Sequence, residues 1–425
     1  MASDLIYGLD FGTSNSAVAI INRDGKSEVL KIGNERSTIR SVLFFPYVPE
    51  KVKLHFVGEE AVTSYISSGM RGRFLQSVKT ILPNETFVDT LIQGEYLTAE
   101  DLVSRILKYI KDKADALVQA DVKRVVLGRP AKFSDEPSSE KIAEQRLLRA
   151  AHQAGFDDVR FQLEPIAAAL NYESSLEEMM DKLILVADLG GGTSDFTIMK
   201  LSPDKGHKIH RRDDVLASGG IYIGGDSFDS DVMWNKMSDS FGRSSHLRSH
   251  ELLLPFPAPI ILSLSRWQEI GLMKKREVQR DIQNYIHMSD DPAAIKRLQA
   301  LINKDLGFSL FSKIEGAKIT LSSVEDAEII FDHPDIPIKE IITRGEFEEF
   351  TREKIQRITD VVDSVIQQAG VTSSQIDAAF ITGGSSLIPT IRRIFINRFG
   401  PEKIVSKDSF TSVVSGLALS TRLLF

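Results

Sequence analysis

Asp10-Phe11-Gly12-Thr13-Ser14-Asn15-Ser16 and Asp188-Leu189-Gly190-Gly191-Gly192-Thr193-Ser194-Asp195 decide the fold of this chain. Each follows an apolar run, Leu5–Leu9 or Leu183–Ala187, and each precedes a strand-like run, Ala17–Ile21 or Phe196–Met199. Both read as strand, glycine-rich turn, strand, with an aspartate at the end of the first strand. Glycines let backbone N–H groups approach an anion with no side chain in the way. An aspartate beside a phosphate is repelled by it unless a cation lies between them. Two such hairpins predict two facing lobes that grip a nucleoside polyphosphate and its metal.

Working outward, Thr98 and Asp101 predict a capping box for a helix over about 100–120. Leu102, Ile106, Ile110, Ala114 and Leu117 form its apolar stripe. Val122–Leu127 reads as a short buried strand that Gly128-Arg129-Pro130 breaks, and residues 138–155 read as a helix. Glu164-Pro165 opens an alanine-rich helix over Ile166–Tyr172, with proline at the favoured first position. Residues 228–311 give several helical stretches with no clear order. Beyond them come a helix over 346–369, a strand Ala378–Thr382, a turn Gly383-Gly384-Ser385, a helix Pro389–Phe399 and a last helix over 413–424. Strands alternating with helices indicate α/β layering. The hairpin recurs about 180 residues on, which indicates duplication of one lobe.

Composition narrows the function. A chain of 425 residues is long enough for two domains with real cores. The net charge of −7 argues against nucleic acid as a partner. No cysteine is present, so disulfides, thiolate metal sites and cysteine nucleophiles are excluded. No signal-peptide pattern opens the sequence. The longest apolar stretch, Leu252–Leu264, is interrupted by Pro255, Pro257 and Pro259 and is too short to span a bilayer. A soluble cytoplasmic protein is expected. The same stretch reads either as a partner-binding surface or as a partly buried insertion, and Lys274-Lys275-Arg276 reads as a solvated basic face.

The two hairpins, Glu164-Pro165-Ile166-Ala167-Ala168-Ala169-Leu170, Gly224-Gly225-Asp226-Ser227-Phe228-Asp229 and Ile381-Thr382-Gly383-Gly384 occur in one order. In that order they resemble the nucleotide-binding domain of DnaK-type heat shock protein 70 chaperones. Gly128-Arg129-Pro130 and the expanded insertion resemble its truncated YegD-like branch. The resemblance implies a two-lobed actin-like ATPase (ribonuclease H-like) fold with duplicated lobes around a nucleotide cleft. Lobe I would be 1–184, joined by the C-terminal helix 405–425. Lobe II would be 185–404, with an insertion at about 228–345. No acidic-apolar linker or peptide-binding domain is expected with this reading.

Residue by residue, Gly12, Thr13, Ser14 and Asn15 resemble the first phosphate loop, and Gly190, Gly191, Gly192 and Thr193 the second. Gly224 and Gly225 join them in the nucleotide site. Asp10 and Asp188 would hold hydrated Mg2+, and Glu164 would touch its hydration shell. Lys79, in Gln76-Ser77-Val78-Lys79, aligns with the catalytic lysine of the family, and Asp195 with the carboxylate beside the attacking water; Thr193 and Asp188 complete that set. Pro130 and Arg146 align with residues that relay nucleotide state. Glu315, Lys318 and Ser322 resemble the adenosine helix, and their i, i+3, i+7 spacing puts them on one face. Gly383, Gly384 and Ser385 would let backbone approach the α-phosphate and adenine. Leu387 and Ile319 stand where many members clamp adenine with arginine.

The implied activity is an ATP/ADP switch with slow Mg2+-dependent hydrolysis, with K+ as a second candidate ion. A client protein or co-chaperone and a nucleotide exchange factor are its implied partners. Arg160 aligns with a contact for J-proteins. A sugar-type kinase, an actin-like filament subunit and an ATP sensor that does not hydrolyse are the alternatives.

Overall fold

A computed structural model describes residues 5–33, 36–48, 52–68, 71–134, 136–174, 181–201, 212–249, 252–266, 270–304, 306–405 and 411–425. The chain forms two compact units, residues 1–65 with 72–225 and 357–425, and residues 66–71 with 226–356.

The first unit contains two sheets with the same topology. One runs Asp158–Leu163, Arg124–Arg129, Ile6–Phe11, Asn15–Ile21 and Ser27–Val29 in spatial order. The other runs Ile404–Val405, Ala378–Thr382, Lys182–Leu189, Ser194–Leu201 and Val215–Ile221. In both, the three strands on one side pair antiparallel and the remaining two add in parallel. This repetition bears out the duplicated architecture.

Side chains explain the layers. The helix Ala99–Val118 starts on the expected capping box: Asp101 N–H donates to Thr98 Oγ1 at 3.3 Å, and Thr98 N–H donates to Asp101 Oδ2 at 2.9 Å. Leu102, Ile106, Ile110 and Ala114 are fully buried in a core with Tyr7, Leu9, Phe11 and Val125. Leu117 is not part of it, at 53% exposed. The helix unwinds two residues later into a left-handed Gln119, so its last turn overshoots the core. The helices Glu164–Glu173 and Ser412–Leu424 pack on each other. Ala167, Leu170, Val413 and Leu417 share one core with Val126 of the first sheet and Val186 and Phe380 of the second. Within the expected C-terminal span, 406–410 lie outside the described residues.

The strand before Pro130 corrects the sequence reading. It runs Arg124–Arg129, straight through Gly128 and Arg129, which pair with Gln162 and Leu163. Sheet pairing outweighs the local breaker signal, and the strand stops where Pro130 has no N–H to donate.

The second unit is mostly helical. It includes Arg276–Met288, Pro292–Asn303 and Gly307–Leu321. A hairpin, Asp326–His333 with Ile336–Thr343, buries every second residue of its first strand. The proline-rich stretch is a strand Leu252–Pro255, with its three leucines exposed, and a helix Ala258–Leu264 that buries Ile261 and Leu264. Among the described residues no helix is long and apolar enough to cross a membrane.

Candidate functional site

The two glycine-rich turns occupy matched positions in their sheets. Asp10 pairs with Ala17 across the first hairpin, and Asp188 with Asp195 across the second, seven residues apart in each case. Both aspartates therefore end a central strand at the same edge of their sheets. The turns approach each other: a β-carbon at Gly192 would stand 3.0 Å from Thr13 Cγ2 and 3.7 Å from Thr80 Cγ2.

The second turn is held from three sides. Gly190 N–H donates to Thr193 O at 2.9 Å, closing the turn. The Gly190 carbonyl accepts from Gly225 N–H at 3.1 Å and from Ser385 Oγ at 2.8 Å. The sequence placed Gly190–Thr193, Gly224-Gly225 and Gly383–Ser385 in one site, and the structure brings these three segments together. Gly383 has φ 81, and a β-carbon there would press on the Leu189 carbonyl and stand 3.0 Å from Asp188 Oδ1. Only glycine fits there without strain.

The aspartates flanking the turns belong to a charged cluster. Lys79 Nζ bonds Glu164 Oε1 at 2.9 Å, with side chains 11% and 9% exposed. Glu164 is buried at the first residue of its helix, where the macrodipole favours a carboxylate. Burial comes first in raising the Asp10 carboxyl, to about 8, and Glu164 and Asp188 add to it while Lys79 opposes. Burial likewise raises Asp188 to about 6, with Glu164 adding and Lys79 and the Thr382 hydroxyl opposing. Asp195 rises to about 7 through burial and Asp188, against a hydrogen bond from Thr193. The Lys79 amine is lowered by burial, but Glu164, Asp10 and Asp188 outweigh that and raise it. Lys79, Glu164, Asp188, Asp195 and Asp10 thus form one cluster, four carboxylates around one ammonium.

Excess negative charge of this kind is what a divalent cation relieves. Among the described residues no three His, Asp or Glu side chains converge as a direct ligand set. A hydrated divalent ion such as Mg2+ fits that excess of buried carboxylates. In the first turn the Ser14 hydroxyl is buried without a hydrogen-bond partner. An orphaned donor in a glycine-rich turn fits a phosphate oxygen.

In the second unit, Glu315 and Lys318 lie on Gly307–Leu321, and Ser322 caps that helix. Lys318 Nζ is 2.7 Å from Asp229 Oδ2, both nearly buried. Burial comes first in raising Asp229, to about 7, and Lys318 opposes it. Ile319 and Leu387 are 63% and 52% exposed in their separate units.

Several contributors were not singled out in the sequence. Thr382 Oγ1 lies 3.2 Å from Asp188 Oδ1 and only its place before Gly383-Gly384 hints at that. Arg129, quoted only as part of Gly128-Arg129-Pro130, is buried and paired with Glu140 and Glu144, partners that the sequence does not announce. Arg160 pairs with Asp158 at 3.2 Å and stands over the Phe425 ring. Arg146, expected as a relay residue, binds the carbonyls of Ile81, Leu82, Asn84 and Phe87.

A family model described as "Hsp70 protein" matches residues 6–251 and 281–424. Two relatives, each a "Chaperone protein DnaK" from Halobacterium salinarum (strains R1 and NRC-1), are 27% identical over 416 residues. The match takes in 96% of this chain and 54% of theirs. The chain thus spans about half the length of these curated relatives.

Proposed function

The chain belongs to the Hsp70 family and has its actin-like ATPase fold, and from that premise we propose that it is an ATP-driven switch that hydrolyses ATP slowly with Mg2+. Family membership supports a chaperone-type ATP-binding domain. The finer reading rests on one observation: the buried Lys79–Glu164 pair is electrostatically coupled to Asp10, Asp188 and Asp195, which flank two glycine turns that approach each other.

In this reading Gly12–Asn15 and Gly190–Thr193 bind the β- and γ-phosphates through N–H groups and hydroxyls. Asp10 and Asp188 would hold hydrated Mg2+, with Glu164 beside its hydration shell. Bound Mg2+ would supply positive charge that neutralises the phosphates. Lys79 puts a fixed positive charge at the γ-phosphoryl. Asp195, with its carboxyl raised to about 7, accepts a proton from the attacking water near neutral pH. Gly224 and Gly225 join the nucleotide site, and Gly383, Gly384 and Ser385 let backbone approach the α-phosphate and adenine. Glu315, Lys318 and Ser322 serve the nucleoside, with aliphatic Leu387 and Ile319 in place of an arginine clamp. Lobes 1–184 and 185–404 would close on ATP and reopen on hydrolysis or exchange. A client protein or co-chaperone, and an exchange factor, would read that change. K+ is a candidate second ion, and the cytoplasm is the expected compartment.

Single-turnover hydrolysis with Mg2+ and K+, alongside ATP binding, tests this. Lys79→Ala and Asp195→Asn should each slow hydrolysis by about a hundredfold or more while ATP still binds. Binding without turnover in the unaltered protein would make it an ATP sensor and withdraw the catalytic roles.

A further inference from the structure

Lys79 is delivered to the charged cluster by a single turn, Val78–Ile81, of 3-10 helix. Both ends of that turn carry an unusual feature. At its start, Ser77 has φ 58 and ψ 35. Among the described residues only Ser77, Gln93 and Gln119 are non-glycines with positive φ. Gln93 is followed by Gly94 at a hairpin tip, and Gln119 caps a helix C-terminus. Those are ordinary places for a left-handed residue. Ser77 opens a helical turn instead, where that backbone is costly and persists only if its surroundings enforce it.

The surroundings are visible. The Ser77 carbonyl accepts from Thr80 N–H at 3.0 Å and from Thr80 Oγ1 at 2.7 Å. Val78 and Leu82 are buried on either side of Lys79. At the other end, the Arg146 guanidinium reaches from the helix Pro137–Gln153 and donates to Leu82 O at 3.0 Å, Asn84 O at 2.8 Å and Phe87 O at 2.8 Å. A planar guanidinium gathers several carbonyls at once, which an ammonium cannot do. These carbonyls follow the Lys79 turn and would otherwise need other donors.

We propose that Ser77 and Arg146 are positioning residues for Lys79: the left-handed start and the clamped end hold the turn so that the amine points at Glu164. The inference rests on the catalytic reading of Lys79. Neither residue is assigned contact with nucleotide. The turn as a whole acts as a rigid mount, and placement errors near 1 Å can cost about a hundredfold in rate.

The test measures single-turnover hydrolysis and ATP affinity for Lys79→Ala, Arg146→Gln, Arg146→Lys, Ser77→Gly and the pair Lys79→Ala with Arg146→Gln. Arg146→Gln should slow hydrolysis about tenfold or more with ATP affinity within about twofold. Arg146→Lys should not restore the rate. Ser77→Gly removes the backbone strain and should raise the midpoint of thermal unfolding while lowering the rate, a divergence that a purely structural role does not give. The paired variant should be no slower than Lys79→Ala alone, because residues acting through one group are not additive. If Lys79→Ala abolishes hydrolysis while Arg146→Gln and Ser77→Gly keep it, or if the paired variant is slower still, the positioning role is wrong and Lys79 stands. If Lys79→Ala or the unaltered protein gives equal turnover, the catalytic reading and this inference fall together.

Discussion

Removing the lysine from the anionic cluster should cost far more stability than removing the glutamate it touches. Lys79 Nζ and Glu164 Oε1 are 2.9 Å apart with little solvent around either. At an effective dielectric of about 20, unit charges at that distance attract by roughly 6 kcal/mol. Desolvation takes back much of this, and breaking a buried pair from one side typically costs about 3–5 kcal/mol. The two sides are not equivalent here. Lys79→Met leaves Glu164, Asp10, Asp188 and Asp195 facing each other without their shared cation. Glu164→Gln leaves Lys79 with Asp10 and Asp188, and also removes a charge that raises both aspartates. We expect Lys79→Met to lose about 3–5 kcal/mol without nucleotide or divalent ion. Glu164→Gln should lose about 1 kcal/mol or less, since broken attraction and relieved repulsion offset each other. Urea unfolding at pH 7.5 in chelator measures both. Equal losses, or a greater loss for Glu164→Gln, would refute the view that the cluster is over-supplied with negative charge.

Two smaller predictions concern the scaffold. Asp121 is exposed, yet hydrogen bonds from Lys111 and Lys123 hold its carboxyl at about 2 rather than 3.8. A folded-state value below the unfolded one gives stability that is present above about pH 4 and lost as pH falls toward 2. Asp121→Asn should therefore flatten acid destabilisation across that window, seen in unfolding midpoints against pH, and parallel curves would contradict it. Gly383→Ala should cost about 2 kcal/mol or more, because φ 81 is strained for alanine and its β-carbon meets the Leu189 carbonyl. A denaturant midpoint unchanged by that substitution would show that the turn can shift.

The parts legible in the sequence are those whose signal is local. A glycine-rich turn between two apolar runs is one, and so is the Thr98–Asp101 capping box. Pro389–Phe399 forms the helix expected from its proline start. What escaped reading depends on partners far along the chain. Arg124–Arg129 extends through a glycine because the parallel strand Asp158–Leu163 pairs with Gly128 and Arg129. Leu117 continues a helical stripe, yet the core has ended beneath it. The left-handed Ser77 leaves no trace in residue type, and the Arg146 clamp joins positions about 60 residues apart. For Leu252–Leu264 the sequence left surface and insertion both open, because hydrophobicity carries no information about which face is covered; the leucines of Leu252–Pro255 are exposed.

Matching topology makes the charge pattern around the turns informative. Asp10 and Asp188 are counterparts, but Asp195 corresponds to Ala17. Ala17 is buried against Val414 and Ala418 of the C-terminal helix, where a carboxylate would lose its water without a partner. The helices show the reverse asymmetry. Glu164 opens the helix that follows the last strand of the first sheet, whereas the helix that follows Ile404–Val405 opens at Ser412. Each sheet with its following helix therefore supplies two carboxylates, Asp10 with Glu164 and Asp188 with Asp195, from different positions. A duplicated lobe with unbroken symmetry would offer paired charges and no distinct roles. Here one pair shares its site with Lys79, which enters from the segment between Gly72–Leu75 and Thr90–Ile92 of the first unit. The other pair lies across one hairpin, with Thr193 bonded to Asp195. In the proposed mechanism the two similar halves would then do different chemistry, one fixing positive charge and the other leaving a carboxylate able to take a proton.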